Sequence, residues 1–228
     1  IVRSFTIETQ IDFIKLALSI LPANIDLKLS NLNNIEQEVL DLRSRILSWH
    51  PDLILILWRI EELIPNIVED YNNLNLKNVV KLLRQLKLRI SKLIKNYKKT
   101  SNIPLVVSTL PVSHISNLHD YKQKISLQEF IEEINHHIFF EVRKNENIYI
   151  FDFNKWSNNI GKIFYDKKMD YYAKQPLSLN YIGNFSLFLS RSLRPFIHIP
   201  AKAIAIDLDN VLWGGILGED GVDNLKVG

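Results

Sequence analysis

The strongest constraint on the fold is a set of short runs in which nearly every residue is apolar: residues 53–58 (Leu-Ile-Leu-Ile-Leu-Trp), 105–108 (Leu-Val-Val-Ser) and 148–151 (Ile-Tyr-Ile-Phe). A strand with one wet face alternates polar and apolar side chains. A run without alternation is covered on both faces, as in a parallel sheet between helices. The intervening segments supply such helices. Ile35, Val39, Leu42 and Ile46 fall on one helical face, with Asn33 or Asn34 as its cap. Longer helices are predicted over residues 76–99 and 127–142. Upstream, residues 2–7 read as a strand and 11–21 as a helix, and 25–29 alternate strictly, the period of a half-buried strand. Pro51 and Asp52 break the chain before the central run. The order β-α-β-α-β-α-β-α-β predicts an α/β fold with a doubly wound parallel sheet in three layers.

Composition narrows the class. At 228 residues and 46% hydrophobic there is material for one sizeable core. The absence of cysteine excludes disulfides, thiolate metal sites and thiol catalysis, and fits a reducing, cytoplasmic setting. No apolar run approaches the ~18–20 residues of a membrane span, so no membrane association is expected. A net charge of +3 does not argue for nucleic acid. Residues 154–199 are less regular. A helix is predicted over 186–193, ending before Pro195, and residues 195–200, bracketed by Pro195 and Pro200, read as a linker. The expected organisation is a domain over 1–194, the linker 195–200, and the opening of a second domain over 201–228.

That opening carries the chemistry. Ala203 to Ile206 form an apolar run leading directly into Asp207 and Asp209, and a glycine-rich turn follows. The run reads as a buried parallel strand, and open α/β sheets place their sites just past such strand ends. In an extended segment Asp207 and Asp209 point the same way. Two such carboxylates can hold Mg²⁺, one attacking a phosphoryl group while the other moves a proton. A bare Asp-x-Asp is common, but the context here is specific. Asp207-Leu-Asp-Asn-Val-Leu212 resembles the first motif of the haloacid dehalogenase (HAD) superfamily of phosphotransferases. Trp213-Gly-Gly-Ile-Leu-Gly-Glu-Asp-Gly221 resembles the FkbH-like branch, which typically reads Leu-Asp-Asn-Thr-Leu-Trp-Gly-Gly here; Val211 replaces the threonine.

The resemblance implies that Asp207 is the nucleophile and a Mg²⁺ ligand, and that Asp209 is the general acid/base with its carbonyl on the metal. It implies a tight loop through Gly214, Gly215 and Gly218, with Trp213, Gly214 and Gly215 next to the substrate. Trp213 either lines the substrate entrance or simply packs. A HAD phosphotransferase also needs a Ser/Thr, a Lys and a further acidic pair downstream of the first motif. The chain, starting at Ile1 and ending at Gly228, is therefore expected to be a fragment, inactive by itself. For the intact protein the resemblance implies taking a glyceryl group from 1,3-bisphosphoglycerate and leaving it as a thioester on an acyl carrier protein. The alternatives are a plain HAD phosphatase on a small phosphorylated metabolite, or a non-catalytic carrier-protein docking module.

The first domain resembles the SGNH-hydrolase fold, flavodoxin-like in its layers, that precedes the HAD domain in FkbH-like proteins. The landmarks are Ser4-Phe-Thr-Ile7, Pro51-Asp-Leu-Ile-Leu55 and Lys174-Gln-Pro-Leu-Ser178. Ser4 or Thr6 stands where a nucleophile might be, but there is no glycine elbow. None of His50, His114, His119, His136, His137 and His198 has an Asp-x-x-His spacing, so a Ser/His triad is not expected.

Between Lys77 and Lys99 the chain carries Lys77, Lys81, Arg84, Lys87, Arg89, Lys92, Lys95, Lys98 and Lys99 and no acidic residue. This is either a solvated amphipathic face or a docking surface for an acidic partner such as an acyl carrier protein, which charge reversal at Lys87 and Arg89 would test. Nucleic acid fits less well, because no exposed aromatics interleave the charges. Arg59 either binds a ligand carboxylate or phosphate bidentately or, the expected case, forms a plain surface salt bridge with Glu61 or Glu62, and residues 166–170 are expected to form a solvated turn.

Overall fold

Four strands form one all-parallel sheet in a computed structural model of the chain: β1 (Val2–Arg3), β2 (Ile54–Leu57), β3 (Leu105–Ser108) and β4 (Ile148–Phe151), side by side in that order. The structure describes residues 1–112, 125–197, 203, 205–221, 223 and 226, and divides into two compact units, Ile1–Arg194 and Pro195–Gly228. Register is continuous: Val2, Ile56, Val107 and Ile150 form a single row across the sheet. Every residue of β2 and β3 is buried, as a sheet covered on both faces requires.

The two faces are filled differently. Ile54, Ile56, Leu105, Val107 and Ile148 belong to an aliphatic core shared with α2 (Ile35–Leu40), α6 (Leu76–Thr100) and α7 (Leu127–Arg143). The other face is aromatic. Phe151 meets Phe185 and Phe188 of α10 (Ile182–Ile197) at ring-centroid distances of 5.9 and 5.3 Å. Phe153 and Trp156 of α8 (Phe153–Ile160) join the same cluster with Phe164. Each such fully buried side chain contributes about 1.5–3 kcal/mol relative to exposure.

The long helices start where local chemistry tells them to. The Asn75 side chain accepts from the Asn78 amide at the start of α6. At α7, Ser126 and Glu129 form a reciprocal capping box, and the Ser126 N–H holds the Glu129 carboxyl below the usual range. The remaining helices are α1 (Ile11–Leu18), α3 (Arg45–Ser48), α4 (Ile60–Leu63), α5 (Ile67–Asp70), α9 (Lys167–Ala173) and α11 (Leu217–Asp220). Among the described residues, no helix is long and apolar enough to cross a membrane.

Several sequence expectations need correction, among them the single helical face through Ile35, Val39, Leu42 and Ile46, which breaks between α2 and α3 and leaves Leu42 66% exposed. The first strand is two residues long rather than spanning 2–7, because the backbone leaves β2 after Ser4, and the Thr6 amide instead donates to the Lys174 carbonyl. Residues 25–29 alternate in burial as expected but form no ladder. The Lys28 carbonyl accepts from the Ile1 amino group at 2.6 Å, and the following segment pairs with β1 through Ser30 N–H to Ile1 O, Asn33 N–H to Arg3 O and a parallel bridge between Arg3 and Leu32. These bonds lie on the β1 edge opposite β2, and so short a strand offers little to pair with. Next, α10 runs through Pro195 to Ile197 rather than stopping before it, although the proline ring removes the i→i−4 bond to Arg191 and crowds its carbonyl. Positions 198–200 of the expected linker lie outside the described residues. Finally, no described residue of 203–208 is in a strand, and Ile206 and Leu208 are 52% and 47% exposed. An apolar run becomes a buried strand only where neighbours complete its ladder, and no described residue pairs with this one.

Candidate functional site

Two places on the chain hold groups able to do chemistry, one in each unit. In the larger unit they gather at the C-terminal ends of β1 and β2, where open α/β sheets bind ligands. Ser4 follows β1 and Arg59 follows β2. The Ser4 hydroxyl accepts from the Arg59 amide at 3.2 Å and donates to Glu62 Oε2 at 3.1 Å. The Arg59 guanidinium pairs with Glu62 and with Asp170, the latter bidentately at 2.9 and 3.0 Å. Tyr165 donates its hydroxyl to Asp170 at 2.8 Å. Burial works against the Arg59 charge, but Glu61, Asp170 and Glu62 outweigh it, so the guanidinium holds its proton more tightly than usual. Burial pushes the Glu62 carboxyl up, with Arg59 opposing, and burial first and then Asp170 push up the Tyr165 hydroxyl.

This cluster is an internal ion network. Arg59 and Ser4 are 1% and 2% exposed, and no histidine bonds to Ser4 among the described residues. A serine whose oxygen accepts an amide and whose proton points at a buried carboxylate is not positioned for attack on an ester. The network also corrects the expected solvated turn at 166–170. Asp166 caps α9 through the Met169 amide, which turns Asp170 inward onto Arg59. Residues 4–10 and 174–178 are adjacent: the Thr6 amide donates to Lys174 O at 2.7 Å, Gln10 Nε2 to Leu177 O at 2.7 Å and Thr9 Oγ1 to Gln175 Oε1 at 2.9 Å.

A cleft of about 290 Å³ lies between α7 and α8, lined by residues including Glu132, Asn135, His136, Phe139, Asp152 and Asn154. Much of its polar lining is already engaged. Asn135 clasps both backbone groups of Leu110, Asn154 accepts from Val112 N–H, and Asp152 accepts from Thr109 Oγ1. His136 and His137 point apart; His137 Nε2 lies 2.8 Å from Ser91 Oγ and 3.0 Å from Lys87 O. His114, His119 and His198 lie outside the described residues.

In the smaller unit the loop after Asp207 is tightly tied. The Leu208 carbonyl accepts from the amides of Val211, Leu212 and Trp213, winding the chain through one turn. Asn210 takes the left-handed conformation (φ 57°), its side chain accepts from the Gly215 amide at 3.0 Å, and Gly215 needs its φ of 113° to close the turn. Gly214 exchanges both backbone bonds with Lys226 at 2.8 and 3.0 Å. The Gly214 and Gly215 amides are thus committed to shaping the loop.

Asp209 sits at the centre of this turn. Its Oδ1 accepts from Trp213 Nε1 at 3.0 Å and from the Leu217 amide, opening α11, at 3.1 Å. Trp213 is half-buried and fixes Asp209 directly, a role between the two left open by the sequence. Asp207 is exposed and, among the described residues, accepts from the adjacent Leu208 amide alone, at 2.9 Å. One carboxylate is therefore held by two donors while the other faces solvent. The pair offers only oxygen donors, and no third histidine or acidic residue joins it in a metal-binding group among the described residues. That set suits Mg²⁺, which binds through one or two carboxylates and otherwise keeps water and phosphate oxygens.

No family model matches the sequence, and no curated protein does. The structure is similar to the crystal structure of the N-terminal part of the protein BF1531 from Bacteroides fragilis, which contains a phosphatase domain and is complexed with Mg. The TM-score is 0.73 at 21% identity, and the likeness covers all of this chain and 59% of that one. It establishes the fold. The chain shares its α/β architecture, with a four-stranded all-parallel sheet, over its entire length, and spans about three-fifths of that neighbour.

Proposed function

We propose that the chain carries the nucleophile segment of a Mg²⁺-dependent phosphatase or phosphotransferase of the HAD type. The observation that carries this reading is the asymmetric pair after Ala203–Ile206: Asp207 exposed, Asp209 fixed by Trp213 and Leu217. Asp207 attacks the phosphoryl group and becomes an aspartyl phosphate. Asp209, held by two donors, gives its proton to the leaving oxygen and takes one from the water that clears the intermediate. Asp207 and the Asp209 carbonyl would hold Mg²⁺, which neutralises charge on the transferring phosphoryl oxygens. The magnesium and phosphatase descriptors of the Bacteroides fragilis neighbour support this reading, as does the sequence resemblance to the first HAD motif.

The finer reading rests on the FkbH-like sequence alone. There the whole protein releases phosphate from 1,3-bisphosphoglycerate and leaves glycerate as a thioester on an acyl carrier protein. The Ser/Thr, Lys and acidic pair required for transfer, and a thioester cysteine, would come from outside these 228 residues. The test is phosphate release by the whole protein from a small acyl phosphate, with and without Mg²⁺, beside the intact mass of a holo acyl carrier protein. Release that needs Mg²⁺ and falls at least ~10³-fold in Asp207→Asn supports the phosphotransfer site. A glyceryl-sized mass gain on the carrier supports loading; release with an unmodified carrier reduces the reading to a plain phosphatase. Release unchanged in Asp207→Asn contradicts both.

A further inference from the structure

We propose that the outer face of α6 is a docking surface for an acidic helix of a partner protein. The helix holds nine of the 28 Lys and Arg of the chain and none of its 25 Asp and Glu. The rest of the chain therefore carries 19 basic against 25 acidic side chains, and positive charge is segregated onto one helix of an otherwise acidic protein.

The structure sorts the nine into two groups. Lys87 donates to Glu133 on α7 at 2.7 Å, and Arg89 Nη2 to Glu36 on α2 at 3.0 Å, so these two fasten α6 to its neighbours. They are the residues whose reversal the sequence suggested as a test, and they are unsuitable, because reversal would break internal pairs. The other seven are exposed and make no ion pair among the described residues. Of these, Lys77, Lys81, Arg84, Lys92, Lys95 and Lys99 are spaced so that all fall on one side of a 3.6-residue helix. Leu88 occupies the gap in that row and is 51% exposed; Val80, at its flank, is 47% exposed. The row runs roughly 33 Å at 1.5 Å per residue.

Two features separate this row from an ordinary solvated face. Surface helices usually interleave Glu with Lys at i, i+4, whereas here like charges face each other and repel, a cost relieved only by opposite charge from outside. The row also has an apolar centre between charged ends, which is how protein interfaces are organised. A partner helix with carboxylates at i, i+4 and i+7 around one aliphatic residue complements both. Nucleic acid lacks a counterpart for Leu88, and the one aromatic ring of α6, Tyr97, is buried. Two half-exposed aliphatic side chains are too little to insert into a lipid surface. The inference stands on the larger unit alone and is independent of the phosphotransfer reading.

The test is fluorescence anisotropy of the 228-residue chain with a labelled helical peptide of about 20 residues, long enough to be marginally helical, bearing a glutamate stripe with a central leucine. A scrambled peptide of the same composition, a DNA duplex and phosphatidylserine vesicles are the comparison probes. Salt-sensitive binding of the striped peptide is expected. Reversal of Lys81, Arg84, Lys92 and Lys95 to Glu should weaken it at least ~10-fold, and Leu88→Asp several-fold, while Lys15→Glu with Lys167→Glu leaves it unchanged. Unchanged thermal melting of the exposed-site variants separates docking loss from misfolding, and neutral Gln versions of the same sites should give an intermediate loss. No binding, equal binding of the scrambled peptide, tighter binding to DNA or vesicles, or indifference to reversal would each overturn the proposal.

Discussion

The two units contain the same kind of sequence and treat it in opposite ways. In the larger one, Ile54 to Leu57 and Leu105 to Val107 are 0–2% exposed, and each strand has a partner on both sides. In the smaller one, Ile206, Leu208, Val211 and Leu212 are 47–61% exposed. What holds the smaller unit is short-range polar chemistry: Asn210 to Gly215, Asp209 to Trp213 and Leu217, Gly214 to Lys226. An apolar pattern specifies a strand only in company. A loop can be shaped by its own side chains over a dozen residues even where its described apolar side chains stay half-exposed.

The comparison breaks most visibly at Arg59. Replacing it with methionine leaves Glu62 and Asp170 buried without a counter-charge, so urea unfolding should show a loss of about 3–5 kcal/mol. Replacing all three with apolar residues of similar size should recover most of that loss; failure to recover would mean the network does more than neutralise itself. Next in size is a matched pair of truncations. Ile56→Ala should cost about 2–5 kcal/mol in the larger unit. Leu212→Ala should stay within about 0.5 kcal/mol, as at any exposed position, and a large loss there would contradict its exposure. Ser126→Ala removes half of the capping box of α7 and should cost about 1 kcal/mol by thermal melting.

The smallest effect is electrostatic. Hydrogen bonds from Arg89 and Lys87 hold the Glu36 and Glu133 carboxyls below their usual range. Groups with lowered folded values add stability that is full above their unfolded values and is lost as pH falls through the folded ones. The Glu36→Gln, Glu133→Gln double variant should therefore be slightly less stable than the parent near neutral pH, and the difference should vanish as pH falls through the folded values.

How much of this was legible in the sequence follows the range of the interactions. β3 and β4 begin and end where their apolar runs do, and α6 and α7 fall within a residue of their predicted limits, because unbroken apolar runs and 3.6-residue periodicity are local signals. Ile25, Leu27 and Leu29 have the right period, but the parallel register that sets Ser30 against Ile1 and Leu32 against Arg3 leaves them opposite no residue of β1. Asp170 could not be recognised as the partner of Arg59, since 111 residues separate them and an aspartate two residues after Lys167-Lys168 normally reads as solvated. At the candidate site Asp207 and Asp209 were visible from their spacing and context. The bond from the Trp213 indole to Asp209 was not, although its four-residue offset within a glycine-rich turn is the one signal that could have suggested it.

The central claim is that Asp207 is the nucleophile. The most direct measurement is acid quench of the whole protein during turnover of an acyl phosphate with Mg²⁺, followed by peptide mass spectrometry. The account predicts a phosphate-sized mass gain on the peptide containing Asp207, labile to hydroxylamine and absent in Asp207→Asn. A phosphorylated residue elsewhere, or turnover by water alone with Asp207 never modified, would contradict it.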